Sequence, residues 1–114
     1  MLIIKLKSKI HQVIVTDVNL EYEGSCGICL KLMEAANIQE YEQIHIYNLN
    51  NGERFITYAI IGDLNQISIK GSAARKVMIG DRLIICTYCQ IPEENDYQPI
   101  KVYVDITNKQ IQKG

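Results

Sequence analysis

Four cysteines stand in two pairs whose spacing could bind a metal ion. Cys26 and Cys29 form one C-x-x-C pair, and Cys86 and Cys89 form the second. Two such pairs can supply the four thiolates of a structural zinc site. Residues 30–85 separate them, however, far more than the ~15–20 residues usual in that motif. Since no glycine follows either pair, and a strand would turn Cys86 and Cys89 to opposite faces, we expect buried, reduced thiols and no metal.

A second candidate is the stretch Tyr22-Glu23-Gly24-Ser25-Cys26, in which a serine directly follows a glycine. A single Gly-Ser dipeptide is a weak signal, but five further segments accompany it across most of the chain. They are Lys9-Ile10-His11, Asn51-Gly52-Glu53-Arg54-Phe55, Thr57-Tyr58, Gly71-Ser72-Ala73-Ala74-Arg75 and Ile79-Gly80-Asp81. Together these segments resemble the pyruvoyl-dependent aspartate 1-decarboxylases, a family whose members cut themselves at a Gly-Ser bond.

The resemblance implies autocatalytic cleavage between Gly24 and Ser25, which yields a β chain of residues 1–24 and an α chain of residues 25–114. Attack by the Ser25 hydroxyl on the Gly24 carbonyl needs a strained backbone, which glycine permits because it lacks Cβ. Ser25 then becomes a covalent pyruvoyl cofactor. Its ketone condenses with the amine of L-aspartate as a Schiff base and accepts the electrons released with CO₂, so pyridoxal phosphate is not required.

A serine hydroxyl is a weak nucleophile unless a neighbour accepts its proton and the attacked carbonyl is polarised. By resemblance, His11, Tyr22 and Thr57 are expected near the cleaved bond, with Thr57 on the carbonyl side. The family usually has Asn-Gly-Ala-Ala-Ala where this chain has Lys70 followed by Gly-Ser-Ala-Ala. An ammonium donates hydrogen bonds but accepts none, and it adds charge. An uncleaved, inactive relative is therefore an alternative to an active enzyme.

The two carboxylates of L-aspartate call for fixed cations. The planar guanidinium of Arg54 suits bidentate carboxylate binding, and Lys9 can supply a second charge. The resemblance assigns both roles to these positions and makes Tyr58 the proton donor in the decarboxylation. It also places four further residues at the substrate, namely Thr57, Gly71, Ser72 and Ala73.

One consequence of strand geometry bears on this assignment. In a regular strand over Arg54–Ile61, Arg54 and Tyr58 share one face and Thr57 lies on the other. Either a bulge turns Thr57 round, or the site lies where two faces or two subunits meet. The resemblance favours the second solution, since it implies a homotetramer with sites at subunit boundaries. A maturation helper protein is a further partner to consider.

The elements that must position these residues are mainly strands. Two short helices are predicted, at Cys29–Ala36 and Ser72–Met78, with Asn37 ending the first in a left-handed conformation. Asn51-Gly52 predicts a two-residue hairpin turn with positive φ at both positions. Alternation or β-branched runs predict strands at Leu2–Leu6, Gln12–Thr16, Gln43–Leu49, Arg54–Ile61, Gln66–Lys70, Arg82–Ile91 and Ile100–Ile106.

These elements fit one domain over residues 1–114, closed into a small barrel that leaves no exposed edge. The resemblance implies the double-psi β-barrel, with short helices. Tyr88, Tyr97 and Tyr103 are interpreted as barrel or interface packing, and His45 as structural.

Composition narrows the class of protein. Lys and Arg number 12 against 13 Asp and Glu, so no excess of positive charge indicates nucleic acid or an anionic membrane as a partner. The amino-terminal run alternates apolar residues with Lys5, Lys7 and Lys9, which favours a strand over a signal peptide. We expect a cytoplasmic enzyme that makes β-alanine for pantothenate and coenzyme A. The non-enzymatic alternative is a small β-barrel module that binds zinc through its C-x-x-C pairs.

Overall fold

The computed structural model describes residues 1–112 as a mainly β protein, which confirms the predicted fold class. Its nine strands run in the order β2-β6-β3-β5-β4-β7-β1-β8-β9, consistent with a β-barrel. The strands are β1 Leu2–Ile14, β2 Asp17–Asn19, β3 Ser25–Cys29, β4 Gln43–Asn48, β5 Arg54–Gly62, β6 Ile67–Lys70, β7 Arg82–Pro92, β8 Ile100–Val104 and β9 Gln110–Ile111.

Two short helical segments lie between strands. Helix α1, Leu30–Ala35, ends before Asn37, whose φ of 54° confirms the predicted left-handed position. The second segment, Gly71–Lys76, is a 3-10 helix and is shorter than the predicted Ser72–Met78. In residues 1–112 no helix is long and apolar enough to cross a membrane.

The sheet mixes parallel and antiparallel neighbours. β1 pairs with β7 and β4 pairs with both β5 and β7 in antiparallel fashion. β3 lies between β5, to which it is parallel, and β6, to which it is antiparallel. β8 runs parallel to β1. β3 is therefore held on both sides, and the first residue of that strand is Ser25.

The core consists mostly of branched aliphatic side chains on the inner faces of the strands. Fully buried members include Ile10, Ile28, Ile44, Ile46, Ile67, Ile69, Leu83 and Ile85. Burial of each of these side chains stabilises the fold by about 1.5–3 kcal/mol. The positions of the apolar residues therefore determine which face of each long strand is turned to the core.

Three predictions about the elements were wrong, and the first concerns the amino terminus. The two predicted strands Leu2–Leu6 and Gln12–Thr16 are one continuous strand, β1. Register shifts at Lys7 and Gln12 interrupt its alternation, and Gln12 has a φ of 67°. These β-bulges each insert a residue, so the period-2 pattern breaks although the strand does not.

The second error is β3, which the sequence did not reveal. All five residues of Ser25–Cys29 are buried, so the segment has no polar side to create alternation. Gly27 added to the difficulty because glycine is uncommon in strands. Here it permits a close approach, since a Cβ at Gly27 would lie 3.3 Å from the Cβ of Ser68.

The third error is the hairpin between β4 and β5. Residues 49–53 form the connection, and of the predicted Asn51-Gly52 pair only Gly52 has a positive φ, at 76°. The Asn51 Oδ1 accepts a hydrogen bond of 2.9 Å from the Glu53 amide, and its Nδ2 donates to the Lys76 carbonyl. These side-chain hydrogen bonds stabilise a longer loop than the two-residue turn.

Candidate active site

The outer face of β1, β7, β4 and β5 carries one group of the predicted site residues. Lys9 lies opposite Cys86, and Cys86 lies opposite His45 on the next strand. Arg54 lies opposite Tyr47. Directly opposite residues in antiparallel strands share a face, so these side chains emerge together on the side away from the core.

Within this group both predicted carboxylate-binding cations act on one thiol. Burial raises the pKa of the Cys86 thiol, whereas the charge of Lys9, a hydrogen bond from Tyr88 and the charge of Arg54 act in the opposite direction. A single thiol therefore lies within electrostatic range of both cations. Lys9 and Arg54 come from β1 and β5, which are separated by two intervening strands.

Two tyrosines support Arg54 on this face. The Arg54 guanidinium carbon lies 4.3 Å from the centroid of the Tyr47 ring, within the range of a cation–π contact. The hydroxyls of Tyr47 and Tyr88 share a hydrogen bond of 2.6 Å. A groove of about 490 Å³ opens beside them, with His45 and Cys89 also in its wall.

A second group surrounds the Gly24–Ser25 peptide. Ser25 is only 3% exposed, whereas Tyr22 and Gly24 lie in the exposed segment before β3. Lys70 lies directly opposite Ser25 in the antiparallel β3–β6 pair, so their side chains share a face. The Lys70 Nζ lies 5.0 Å from the centroid of the Tyr22 ring.

Gly71 forms the floor beneath this peptide. A Cβ at Gly71 would lie 2.6 Å from the Gly24 Cα, 2.7 Å from the Gly24 nitrogen and 3.1 Å from the Tyr22 carbonyl oxygen. Its φ of 78° also favours glycine. The structure thus packs backbone directly against backbone at the predicted cleavage point. Ser72 and Ala73 follow in the 3-10 helix, Ser72 exposed and Ala73 half-buried.

The predicted division of β5 between two faces is present. Thr57 lies opposite Ile44, which is fully buried, whereas Tyr58 lies opposite the exposed Gln43. The β4–β5 pairing is regular from Gln43 to Tyr47, so no bulge turns Thr57 to the side of Arg54. The regular register excludes the bulge, and a site where two faces or two subunits meet stays a prediction.

Thr57 is nevertheless on the side of the cleavage peptide. β3 and β5 are parallel, with Cys26 beside Ala59. Continued toward the start of both strands, the same register sets Ser25 beside Tyr58 and Gly24 beside Thr57. The ring of Tyr58, on the other face, lies 6.3 Å from the ring of Tyr41.

His11 lies with the first group. It follows Lys9 on the same face of β1, and its ring meets that of Tyr103 edge-on at a centroid distance of 5.8 Å. The contact of His11 with the cleavage bond stays a prediction.

The sequence did not single out Tyr47, and Tyr88 was interpreted as packing. Cys86 was weighed as a zinc ligand and expected to be a buried thiol. The register of the β4–β5 hairpin sets Tyr47 opposite Arg54. The sequence could have revealed this pairing only if the length of the loop between the two strands were known. The four cysteines are free thiols on β3 and β7. Among the described residues, no three or more of His, Cys, Asp and Glu are grouped to hold a metal ion, so the zinc alternative is not favoured.

Known proteins match this chain over nearly its full length. The family model for aspartate decarboxylase matches residues 1–111. Aspartate 1-decarboxylase of Halorhodospira halophila is 54% identical over 112 residues, which covers 95% of this chain and 89% of the relative. Aspartate 1-decarboxylase of Nitrosococcus oceani is 55% identical over 107 residues, covering 90% and 85% respectively. This chain, with its Gly24–Ser25 peptide packed on Gly71, belongs to the aspartate decarboxylase family of enzymes.

Proposed function

We propose that this chain removes the α-carboxylate of L-aspartate to give β-alanine and CO₂, after cutting itself between Gly24 and Ser25. The names of the relatives, aspartate 1-decarboxylase, support the decarboxylation. The observation that supports the self-cleavage is the packing of Gly71 against Gly24, which leaves no room for a Cβ at Gly71 and holds the Gly24–Ser25 peptide in place. A pyruvoyl group made from Ser25 fits these surroundings.

The cleavage needs no reactant besides water. The Ser25 Oγ attacks the Gly24 carbonyl carbon, and the acyl group moves from the Ser25 nitrogen to its oxygen, which forms an ester. Loss of the Ser25 α-proton then breaks the Cβ–O bond, so the Gly24 carboxylate leaves and dehydroalanine remains. Water replaces the nitrogen of this residue as ammonia, and residues 25–114 then begin with the pyruvoyl group.

The surrounding side chains assist this sequence by proton transfer and electrostatics. Thr57 donates a hydrogen bond to the Gly24 carbonyl side, while Tyr22 and His11 are the candidate proton carriers. Lys70 shares the face of Ser25, so its ammonium can stabilise the negative charge that develops on the attacked oxygen. The ammonium of Lys70 stands where the family usually has the side-chain amide of an asparagine.

In decarboxylation the pyruvoyl group supplies the electron sink for the electron pair released when CO₂ leaves. The chain's own residues bind and orient the substrate. Arg54 holds one carboxylate in a bidentate pair, and Lys9 neutralises the other. Tyr58 donates the proton that completes β-alanine. Thr57 and the Gly71–Ala73 segment line the substrate at the cleavage end.

The two groups of residues are completed by assembly into a homotetramer. Arg54 and Tyr58 lie on the outer face of β5, whereas Thr57 lies on the side of Gly24. A site formed at a subunit boundary can combine the outer face of one chain with the cleavage end of another. The product then supplies pantothenate and coenzyme A synthesis in the cytoplasm, with a helper protein as a possible aid to maturation.

Denaturing mass spectrometry of the purified chain tests the proposal. We expect two fragments divided after Gly24, with a pyruvoyl group in place of Ser25, and decarboxylation of L-aspartate in the same preparation. Ser25→Ala should fold but remain uncleaved and inactive, because it lacks the attacking oxygen. The matched control Ser68→Ala removes the hydroxyl of another buried serine, which is 2% exposed, and should still be cleaved.

An intact wild-type chain would instead identify an uncleaved relative, with Lys70 as the first residue to exchange. Decarboxylation that survives in Ser25→Ala would overturn the assignment of the cofactor.

A further inference from the structure

We infer that the ring of Tyr47 orients the Arg54 guanidinium for its substrate carboxylate, and that Tyr88 holds Tyr47 in place through the hydrogen bond between their hydroxyls. Tyr88 is therefore a positioning residue. This inference rests on the proposed function, in which Arg54 binds L-aspartate. Neither tyrosine was predicted to take part in substrate binding.

The first step is the contact between Arg54 and Tyr47. The two residues lie opposite each other on β5 and β4, and the guanidinium carbon lies 4.3 Å from the ring centroid. Arg54 is otherwise exposed, so its long side chain would sample many rotamers in water. An aromatic face on one side of the guanidinium restricts that freedom and leaves the N–H edges free for a carboxylate.

The second step is that Tyr47 is itself held in place. Its hydroxyl meets that of Tyr88, on β7, at 2.6 Å. The ring of Tyr88 packs edge-on against His45 at a centroid distance of 4.8 Å. Since β7 pairs with both β1 and β4, Tyr88 connects Arg54 to an interior strand of the sheet.

The protonation state of Tyr88 agrees with this role. Burial, followed by the hydrogen bond with Tyr47, raises the pKa of Tyr88 above its usual value. Tyr88 therefore keeps its proton at neutral pH. Phenylalanine at position 88 would keep the ring packing against His45 and lose only the hydroxyl contacts.

Steady-state kinetics of fully cleaved protein test the inference with Tyr88→Phe, Tyr47→Phe and the double variant. Loss of one hydrogen bond predicts a KM for L-aspartate that is about three- to tenfold higher, with kcat close to that of the wild type. The double variant should match either single variant, because both remove the same interaction. Additive effects, or a KM unchanged in all three, would overturn it.

Tyr97→Phe is the matched control. The Tyr97 hydroxyl donates to the Lys7 carbonyl at 2.7 Å, so this variant loses a tyrosine hydrogen bond elsewhere. It should lower the melting temperature slightly and leave KM unchanged. A rise in its KM equal to that of Tyr88→Phe would show that general loosening explains both, and would overturn the positioning role.

A second measurement needs no catalysis. In an NMR spectrum, the Nε–H signal of Arg54 should be displaced by the Tyr47 ring and should move toward the position of a free arginine in Tyr88→Phe. An unmoved signal would overturn the inference. A signal that moves while KM stays constant would also overturn the inference, because Tyr88 would then orient Arg54 without any effect on aspartate binding; the proposed decarboxylation itself would stand.

Discussion

At the scale of single residues, the cleavage peptide depends on a position with no side chain. Gly71 lies against the backbone of Gly24 and Tyr22, and it follows Lys70, which faces Ser25 across the β3–β6 pair. Any side chain at residue 71 would push the peptide away from the nucleophile and its neighbours. In the proposed cleavage, Gly71 therefore contributes the absence of a side chain, which leaves room for the Gly24 backbone, and supplies no reacting group.

Gly71→Ala should therefore impair self-cleavage more than folding. The added Cβ would lie 2.6 Å from the Gly24 Cα, and the positive φ costs about 1–2 kcal/mol of stability for a residue with Cβ. We expect a much smaller cleaved fraction, measured by denaturing electrophoresis over time.

Gly52→Ala separates the two effects. Gly52 has a similar φ of 76°, but nothing lies within 4 Å of a Cβ placed there. This control should lose only the stability that the positive φ costs, and it should be cleaved at the wild-type rate. Equal loss of cleavage in both variants would assign the effect to stability alone.

At the scale of elements, one buried asparagine joins three segments. The Asn108 Oδ1 accepts the amide proton of Ile14 at 2.7 Å. Its Nδ2 donates to the carbonyls of Ile14 at 2.9 Å and Asn65 at 3.0 Å. The end of β1, the β5–β6 loop and the β8–β9 turn are thereby fixed to one another.

Asn108→Ala should lower the free energy of unfolding by about 3 kcal/mol, because three partly buried backbone groups lose their partner. The urea midpoint measures this change. Asn37→Ala is the control, since Asn37 shares the positive φ, 54° against 63°, but is exposed. It should cost only about 1 kcal/mol, and an equal cost in both variants would contradict the role of the hydrogen bonds.

At the scale of the whole molecule, several large apolar side chains are exposed, one of them beside the candidate site. Ile56 lies between Arg54 and Tyr58 on the outer face of β5 and is 59% exposed. Leu2, Ile4, Met78 and Ile79 are also exposed, each by more than half. Large apolar side chains on a small protein favour association with other chains, which agrees with the proposed tetramer.

Ile56→Lys should prevent that association, because a desolvated lysine would face the neighbouring chain. Light scattering should give about 52 kDa for the wild type, four chains of 13.0 kDa, and a smaller mass for the variant with an unchanged circular dichroism spectrum. Ile56→Leu keeps an apolar side chain and should remain a tetramer. A monomeric wild type that decarboxylates aspartate would contradict a site shared between subunits.

The sequence by itself determined those features that depend on residue type and local alternation. The family segments predicted the cleavage bond and the two substrate-binding cations, and they placed the chain in its family. The pleat of β5 placed Arg54 and Tyr58 on one face and Thr57 on the other. The left-handed conformation of Asn37 also followed from its place at a helix end.

Only the tertiary structure decided which side chains meet across strands. A two-residue turn at Asn51-Gly52 would have set Leu49 opposite Arg54, whereas the longer loop sets Tyr47 there. Tyr88 reaches Tyr47 from 41 residues away along the chain. Alternation along a strand is a local property of the backbone, but register depends on loop length and long-range pairing. For that reason the cations were visible in the sequence, and the tyrosines that hold one of them were not.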